Sequence, residues 1–245
     1  MRTYFSIIFA AALTLLICGV DVAAAGDAVE VTTGVDLVSR YIWRGMDVGN
    51  APSAQPTLAA QCYNFELGVW AAYSLSNDAT ETDEIDFWLS YSHEFPNSVA
   101  LTLIATDYYY PNAGVRMFNF DNYDAEGGPG AHTVEAGLQI TGPASFPLTA
   151  SGYVNVYNDA GNNTYFQLDY PLESKNVSLD FFIGATGGSK DNPDYYGSDE
   201  FAVINIGVQA SRELKVTDSF SFPLRVSYIV NPRKEISYVV FGVSF

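Results

Sequence analysis

From residue 29 onward the chain alternates between apolar and polar positions with a period of two, which places one set of side chains on each face of a strand. Val31, Thr33, Val35, Leu37, Tyr41 and Trp43 share one parity, while Thr32, Gly34, Asp36, Arg40 and Arg44 share the other. The pattern recurs at 65–75, where Phe65, Leu67, Val69, Ala71, Tyr73 and Leu75 oppose Glu66, Gly68, Trp70, Ala72 and Ser74. It recurs again at 84–94, with Ile85, Phe87, Leu89 and Tyr91 opposite Glu84, Asp86, Trp88 and Ser90. Twelve segments read as strands: 30–44, 56–63, 65–75, 84–94, 99–109, 132–141, 148–157, 163–172, 177–186, 200–210, 220–230 and 236–245. The connections alternate too: 63–64, 94–98, 142–147 and 173–176 are short, whereas 45–55, 76–83, 110–131 and 187–199 are longer, polar and glycine-rich. Three connections blur this rhythm, 158–162 and 231–235 by being short and 211–219 by being long.

An even strand count with that rhythm predicts an all-β fold, a transmembrane antiparallel up-and-down β-barrel of 12 strands with short periplasmic turns, long outer loops and periplasmic termini. A strand tilted about 45° crosses the apolar slab in roughly 9–11 residues, close to the length of most segments. A soluble sandwich or lipocalin-like barrel also uses alternating strands and frequent turns. Three features favour the membrane form. The polar face is too hydrophilic to make a core, so the face rich in Leu, Val, Phe and Tyr is expected to meet lipid. Aromatic residues collect near the expected strand ends, at Tyr41 and Trp43, at Tyr108, Tyr109 and Tyr110, and at Tyr195 and Tyr196, as an interfacial girdle would. Finally, the last segment carries Phe241, Val243 and Phe245 on one face.

The start of the chain sets a compartment. Arg2 precedes an apolar run at 7–17 and the small residues Ala23, Ala24 and Ala25, the layout of a secretory signal with its cleavage site. The expected division is a signal peptide at 1–25 and one barrel domain at 26–245. Cys18 invites a lipoprotein reading, which Ile17 disfavours because lipoprotein signals carry a small residue there. After cleavage Cys62 stands alone, so neither an internal disulfide nor a cysteine metal site can form. With 28 Asp and Glu against 11 Lys and Arg, binding to nucleic acid through phosphate neutralisation is disfavoured. Disorder, the usual outcome of such acidity, needs few aromatics, and 17 Tyr with 16 Phe argue against it.

The terminal strand resembles the recognition strand by which outer-membrane barrels are handed to their assembly machinery, which makes Phe245 the expected assembly signal. Val35-Asp36-Leu37-Val38-Ser39-Arg40-Tyr41-Ile42-Trp43-Arg44-Gly45, followed by Gln55-Pro56, resembles the opening of the TorF-like outer-membrane porins, the conserved hypothetical Gcw_chp group. That resemblance implies a barrel and a channel in the outer membrane, and no particular substrate.

Parity turns Arg40 and Arg44 inward from the first strand and Arg225 inward from the eleventh, which would make one basic wall. Glu66, Asp86, Glu135, Asp169 and Asp180 turn inward across the lumen as an acidic one. Charges tolerated in a water-filled interior mark a permeation path, so these residues are the pore-lining candidates. The acidic excess gives a channel for small hydrophilic solutes a mild preference for cations. Loop 110–131, with Phe118, Phe120, Tyr123 and Gly127-Gly128-Pro129-Gly130, either folds inward to narrow the lumen or lies over the rim.

Two other classes compete. In one, the inward charges pair and plug the lumen, leaving a surface adhesin or structural barrel. In the other, the barrel is a lipid-modifying enzyme. His93 lies beside Ser92 and Glu94, and His132 is followed by Thr133 without the His-x-Ser pairing of the outer-membrane phospholipase. Asp121, Asp124 and Glu126 could orient His132, but a histidine at a rim is more often solvated and idle, so no enzyme is expected. The run 184–190 lacks the Gly-Lys-Ser/Thr ending of a phosphate loop, and Asn122, Asp124, Glu126 and Gly127 imitate a calcium loop whose closing glutamate is replaced by Thr133. No cofactor or metal is expected. The expected partners are outer-membrane lipid and lipopolysaccharide, the barrel-assembly machinery and small solutes or ions; Asp191, Asp194, Asp199 and Glu200 read first as a solvated acidic loop and second as holders of divalent ions between lipopolysaccharide head groups.

Overall fold

A computed structural model of the chain describes residues 29–76, 82–218 and 220–245. The expected signal peptide at 1–25 lies outside the described residues, as does most of the connection at 76–83. The wall is built from β1 (Glu30–Val38), β4 (Ser53–Cys62), β5 (Phe65–Ser74), β6 (Glu84–Glu94), β7 (Ala100–Tyr109), β8 (His132–Thr141), β9 (Thr149–Tyr157), β10 (Thr164–Glu173), β11 (Ser178–Thr186), β12 (Ala202–Lys215), β13 (Ser221–Asn231) and β14 (Ile236–Ser244). Two short strands, β2 (Ile42–Trp43) and β3 (Met46–Asp47), form a separate hairpin.

Each wall strand pairs antiparallel with its sequence neighbours in the wall, and β1 pairs with β14 to close a 12-stranded barrel. Closure removes the rows of unpaired N–H and C=O groups that an open sheet presents. The closing seam sets Asp36 opposite Ser244 and Val38 opposite Gly242. The last residue extends it, since the Phe245 N–H donates to the Val35 carbonyl at 3.0 Å and the Val35 N–H donates back at 3.1 Å.

Alternation along each strand sorts the side chains as the sequence predicts. Val31, Leu58, Leu103, Phe166, Phe181 and Phe241 stand exposed on the outer surface, while Ser90, Glu135, Asn155, Asn205, Ser227 and Asn231 are buried inside. Apolar residues therefore face out and polar residues face in, the inverse of a soluble barrel. Glu30 and Phe245 lie at the end that carries the short turns 63–64, 95–99, 142–148, 174–177 and 216–220. The opposite end carries 39–52, 75–83, 110–131, 158–163, 187–201 and 232–235.

The first expected strand, 30–44, is corrected. β1 ends at Val38, and residues 39–52 leave the wall to enter the lumen through β2 and β3. The turn between these strands is Arg44-Gly45, with φ of 49° and 77°. Positive φ at both central residues is what a tight two-residue hairpin requires. A hairpin strand has the same period as a wall strand, so the alternation crosses the break without a fault. The tenth segment also lengthens, from 200–210 to Ala202–Lys215, which shrinks the blurred connection at 211–219 to a short turn and restores the rhythm.

Candidate functional site

The hairpin tip seats Arg44 against the far wall of the lumen near the long-loop end. Its guanidinium makes a two-pronged ion pair with Glu135 of β8, at 2.6 and 2.8 Å. It also donates to the Tyr196 hydroxyl, while the Tyr108 hydroxyl donates to Glu135 at 2.9 Å. Three aromatic faces surround the cation, with its central carbon 4.6 Å from the Trp43 ring, 4.6 Å from Tyr153 and 4.5 Å from Tyr165. Such faces attract a guanidinium most strongly where water is excluded. Here Tyr165, Tyr196 and Ile204 form a buried cluster against which Trp43, Met46 and Tyr153 pack. Two loops thus meet at the mouth, the inserted 39–52 and the 187–201 segment that carries Tyr196.

Close packing dictates glycine at the tip. A Cβ on Gly45 would stand 2.0 Å from the Ile204 carbonyl oxygen, and Asn231, wholly buried on β13, donates to the Gly45 carbonyl at 3.0 Å. The hairpin is tied at its base as well. Tyr41 donates to Glu84 at 3.0 Å, Tyr110 donates to the other oxygen of Glu84 at 3.1 Å, and Arg40 binds Asp47 at 3.0 Å.

The pore-lining candidates are placed as follows. Arg225, Glu66, Asp86, Glu135, Asp169 and Asp180 occupy inward positions of the wall, in step with buried neighbours of the same parity. Arg40 and Arg44 do not belong to the wall, because they lie in the inserted segment. The expected basic wall facing an acidic wall is corrected on the same ground. Arg44 crosses the lumen to Glu135, Arg225 binds Asp36 at 2.7 Å, and Arg40 stays within its own loop, so each cation sits with its own carboxylate. Glu66 accepts from the Trp88 indole at 2.8 Å, and Asp169 accepts from Gln167 at 2.7 Å. Glu84, on the face that Asp86 marks, was open to the parity argument and absent from the candidates.

The expected aromatic girdle is also corrected. Tyr41, Tyr108 and Tyr196 are buried at the mouth of the lumen rather than arrayed at a lipid interface, and Tyr109 is buried on the outside beneath loop 110–131. The first residue of that loop turns inward to Glu84, whereas Met117 and Phe120 pack on the outer face of the wall. His132 shares the outward parity of Val134 on β8, and Phe120 stacks on its ring at 4.5 Å while Tyr109 stacks at 5.3 Å. His132 is buried and hydrogen-bonded rather than solvated. Its Nδ1 meets Asp107 at 2.9 Å and its Nε2 meets the Met117 carbonyl at 2.6 Å, so Asp107 takes the orienting part expected of Asp121, Asp124 or Glu126. Asp107 was hidden because its parity is that of the lipid-facing set.

A second polar knot joins loops 158–163 and 187–201. The Asp159 carboxylate accepts from the side chains of Asn155 at 2.8 Å, Asn163 at 3.0 Å and Asn192 at 2.8 Å, and from the Asn163 backbone N–H at 2.8 Å. Burial works against its ionisation, but these donors outweigh burial and hold the carboxyl below the usual carboxylate range. Among the described residues no group of three or more His, Cys, Asp or Glu is arranged to hold a metal. Phe245 lies exposed on the outer surface at the short-turn end, with its ring 5.6 Å from Phe222.

A family model described as "Bacterial protein of unknown function (Gcw_chp)" matches residues 22–223, which meets the resemblance read from 35–45 at the level of that family. No curated protein matches the chain. Among solved structures it is similar to OprB from Pseudomonas putida in a high-pH form, with 12% identity and a TM-score of 0.34 over 80% of this chain and 58% of that one. It is also similar to the translocator domain of the autotransporter NalP from Neisseria meningitidis, with 11% identity and a TM-score of 0.30 over 99% of this chain and 96% of that one. The chain therefore spans less than two thirds of the OprB chain.

Proposed function

We propose that this chain, which belongs to the Gcw_chp family of bacterial proteins of unknown function, is a bacterial outer-membrane barrel whose polar lumen passes small hydrophilic solutes, with the inserted hairpin as its constriction. The observation that carries this reading is the inversion of the two faces around a closed wall. An apolar exterior is stable against acyl chains, and in hydrocarbon a sheet must close on itself because each unpaired backbone group costs several kcal/mol. The hairpin supports a constriction rather than a filled core, since β2 and β3 pair with each other and the wall closes without them.

With the hairpin seated the mouth is narrow, and withdrawal of residues 39–52 would open it. Along the lumen the carboxylates outnumber the guanidinium groups, so the open form carries a mild preference for cations. Its partners in this reading are lipid on the apolar belt, lipopolysaccharide at the acidic loops and the barrel-assembly machinery at Phe245. The reading assigns neither catalysis nor a cofactor. Lipid or peptide turnover that disappears in His132→Ala would replace it with an enzyme.

The Arg44 pair gives weight to a second reading, in which the lumen stays shut and the loops serve as a surface adhesin or structural platform. Planar-bilayer recording separates the two. Wild type is expected to conduct rarely, and a variant lacking 41–48 is expected to conduct steadily, with a reversal potential on the cation side under a salt gradient. A folded deletion variant that remains silent decides for the shut barrel, and anion selectivity rejects the stated preference.

A further inference from the structure

Below the inserted hairpin, against the closing seam of the barrel, lies a cavity of about 190 Å³. Its donors gather on adjacent strands. Asp36 of β1 faces Gln55 of β4 in register, and Arg225 of β13 faces Gly242 of β14. With no side chain at Gly242, Arg225 reaches across β14 to Asp36, and the space beside it stays open. Arg225, bound to Asp36 through Nη2 at 2.7 Å, also lines the cavity. Gln55 is more than nine-tenths buried, lines the same cavity and makes no side-chain hydrogen bond among the described residues. Its amide opens onto the recess, where an incoming polar group can take the place of water. Ile42, Ile229 and Val240 add apolar surface to the same lining.

We infer that this recess binds a short-chain monocarboxylate, with its carboxylate on the Arg225 guanidinium and the Gln55 amide and its alkyl tail against Ile42, Ile229 and Val240. A guanidinium fork matches a carboxylate in shape and charge. Asp36, beside that fork, weakens the field available to a dianion. The volume equals about six waters, at the roughly 30 Å³ each occupies in the liquid, which fits a molecule of about five heavy atoms. Because Ile42 and Arg40 belong to the inserted segment, the occupant touches both the wall and the hairpin. The inference rests on the reading of the lumen as a solute path and adds to it a solute class. The mild cation preference of the open path follows from the summed field of the lumen, whereas this recess is set by its local donors.

The test titrates propionate into the refolded full chain in detergent by calorimetry, with propionamide as neutral isostere, propylammonium as cationic isostere and inorganic phosphate as the dianion. Expected are saturable binding of propionate at least tenfold tighter than of propionamide or phosphate, no binding of propylammonium, and a weakening of tenfold or more in Arg225→Gln. A second variant guards against misfolding. The atoms nearest to a Cβ at Gly242 would be Val38 Cγ1 at 3.4 Å, the Leu37 oxygen at 3.6 Å and Arg225 Nε at 3.7 Å, all at ordinary contact distance, so Gly242→Val fills the recess and leaves the wall intact. It is expected to abolish propionate binding while retaining the heat-dependent gel shift of a folded barrel. Propionamide or phosphate binding as tightly as propionate, or unchanged propionate binding in folded Gly242→Val, overturns the inference. Swelling in sugar of liposomes loaded with the folded variant lacking 41–48, measured in parallel with propionate binding by the full chain, keeps the two proposals apart. Swelling without propionate binding sinks the recess alone, and binding without swelling sinks the channel alone.

Discussion

A guanidinium enclosed by three aromatic faces is stable only while its carboxylate stays in place. Arg44 and Glu135 have side chains 10% and 3% exposed, so neither charge can turn to water if the other is removed. Breaking one partner of a buried pair costs about 3–5 kcal/mol, whereas replacing both by apolar or neutral groups of similar shape is often close to neutral. Glu135→Gln is therefore expected to lower unfolding stability by about that amount, and Arg44→Met with Glu135→Gln to recover most of it. Urea titrations of the refolded barrel in lipid vesicles measure both. Equal losses in the single and double variants would show that the pair contributes nothing beyond the bulk of its side chains. At this scale the sequence was half legible: parity turns Glu135 inward, but no pattern along the chain announces which cation crosses the lumen to meet it.

The inserted hairpin shows why periodicity misleads at the level of elements. Tyr41 and Trp43 continue the apolar parity of Val35 and Leu37, yet the first pair packs inside the lumen and the second pair belongs to the wall. Alternation reports a strand without reporting which sheet the strand has joined. Most of the other wall strands were legible to within about two residues, because lipid on one side and water or polar groups on the other impose an uninterrupted code. Gly45 was the one available signal, and a weak one, since the first position of such a turn favours Asn, Asp or Gly and here holds Arg44. Gly45→Val is expected to unseat the hairpin, because φ of 77° strains a branched residue and its Cβ would strike the Ile204 carbonyl. Trp43 should then move to a more polar site, read as a red shift of tryptophan emission in folded protein, and an unchanged spectrum would contradict this seating. The neighbouring loops are joined by charge. Asp159 has its carboxyl held below the ordinary range, so its contribution is fully present above the unfolded value of about 3.9 and fades as pH falls through the lower folded value. Backbone hydrogen exchange in 187–201 should quicken in that acid window and be fast at neutral pH in Asp159→Asn. Protection that is flat with pH in wild type would mean that the loops are joined by other contacts.

For the whole molecule, the decisive quantity is what the exterior touches. Leu103, in the middle of β7, is 52% exposed and sits between the outward residues Tyr91 and Leu138 on the flanking strands. If water covered this surface, Leu103→Arg would be a surface change within about 0.5 kcal/mol of neutral. If acyl chains cover it, an arginine near the midplane of a membrane barrel costs about 2–4 kcal/mol, falling to about 0–1 near the interfaces. The same substitution at Val31, close to the short-turn end of β1, should therefore cost less than at Leu103. Folding into lipid vesicles under urea, followed by the heat-dependent gel shift, gives both values. A depth-graded loss at the two positions places the apolar belt in a bilayer. Two near-neutral variants would instead require the belt to face water, and with it would go the membrane location, the solute path and the reason for the polar interior.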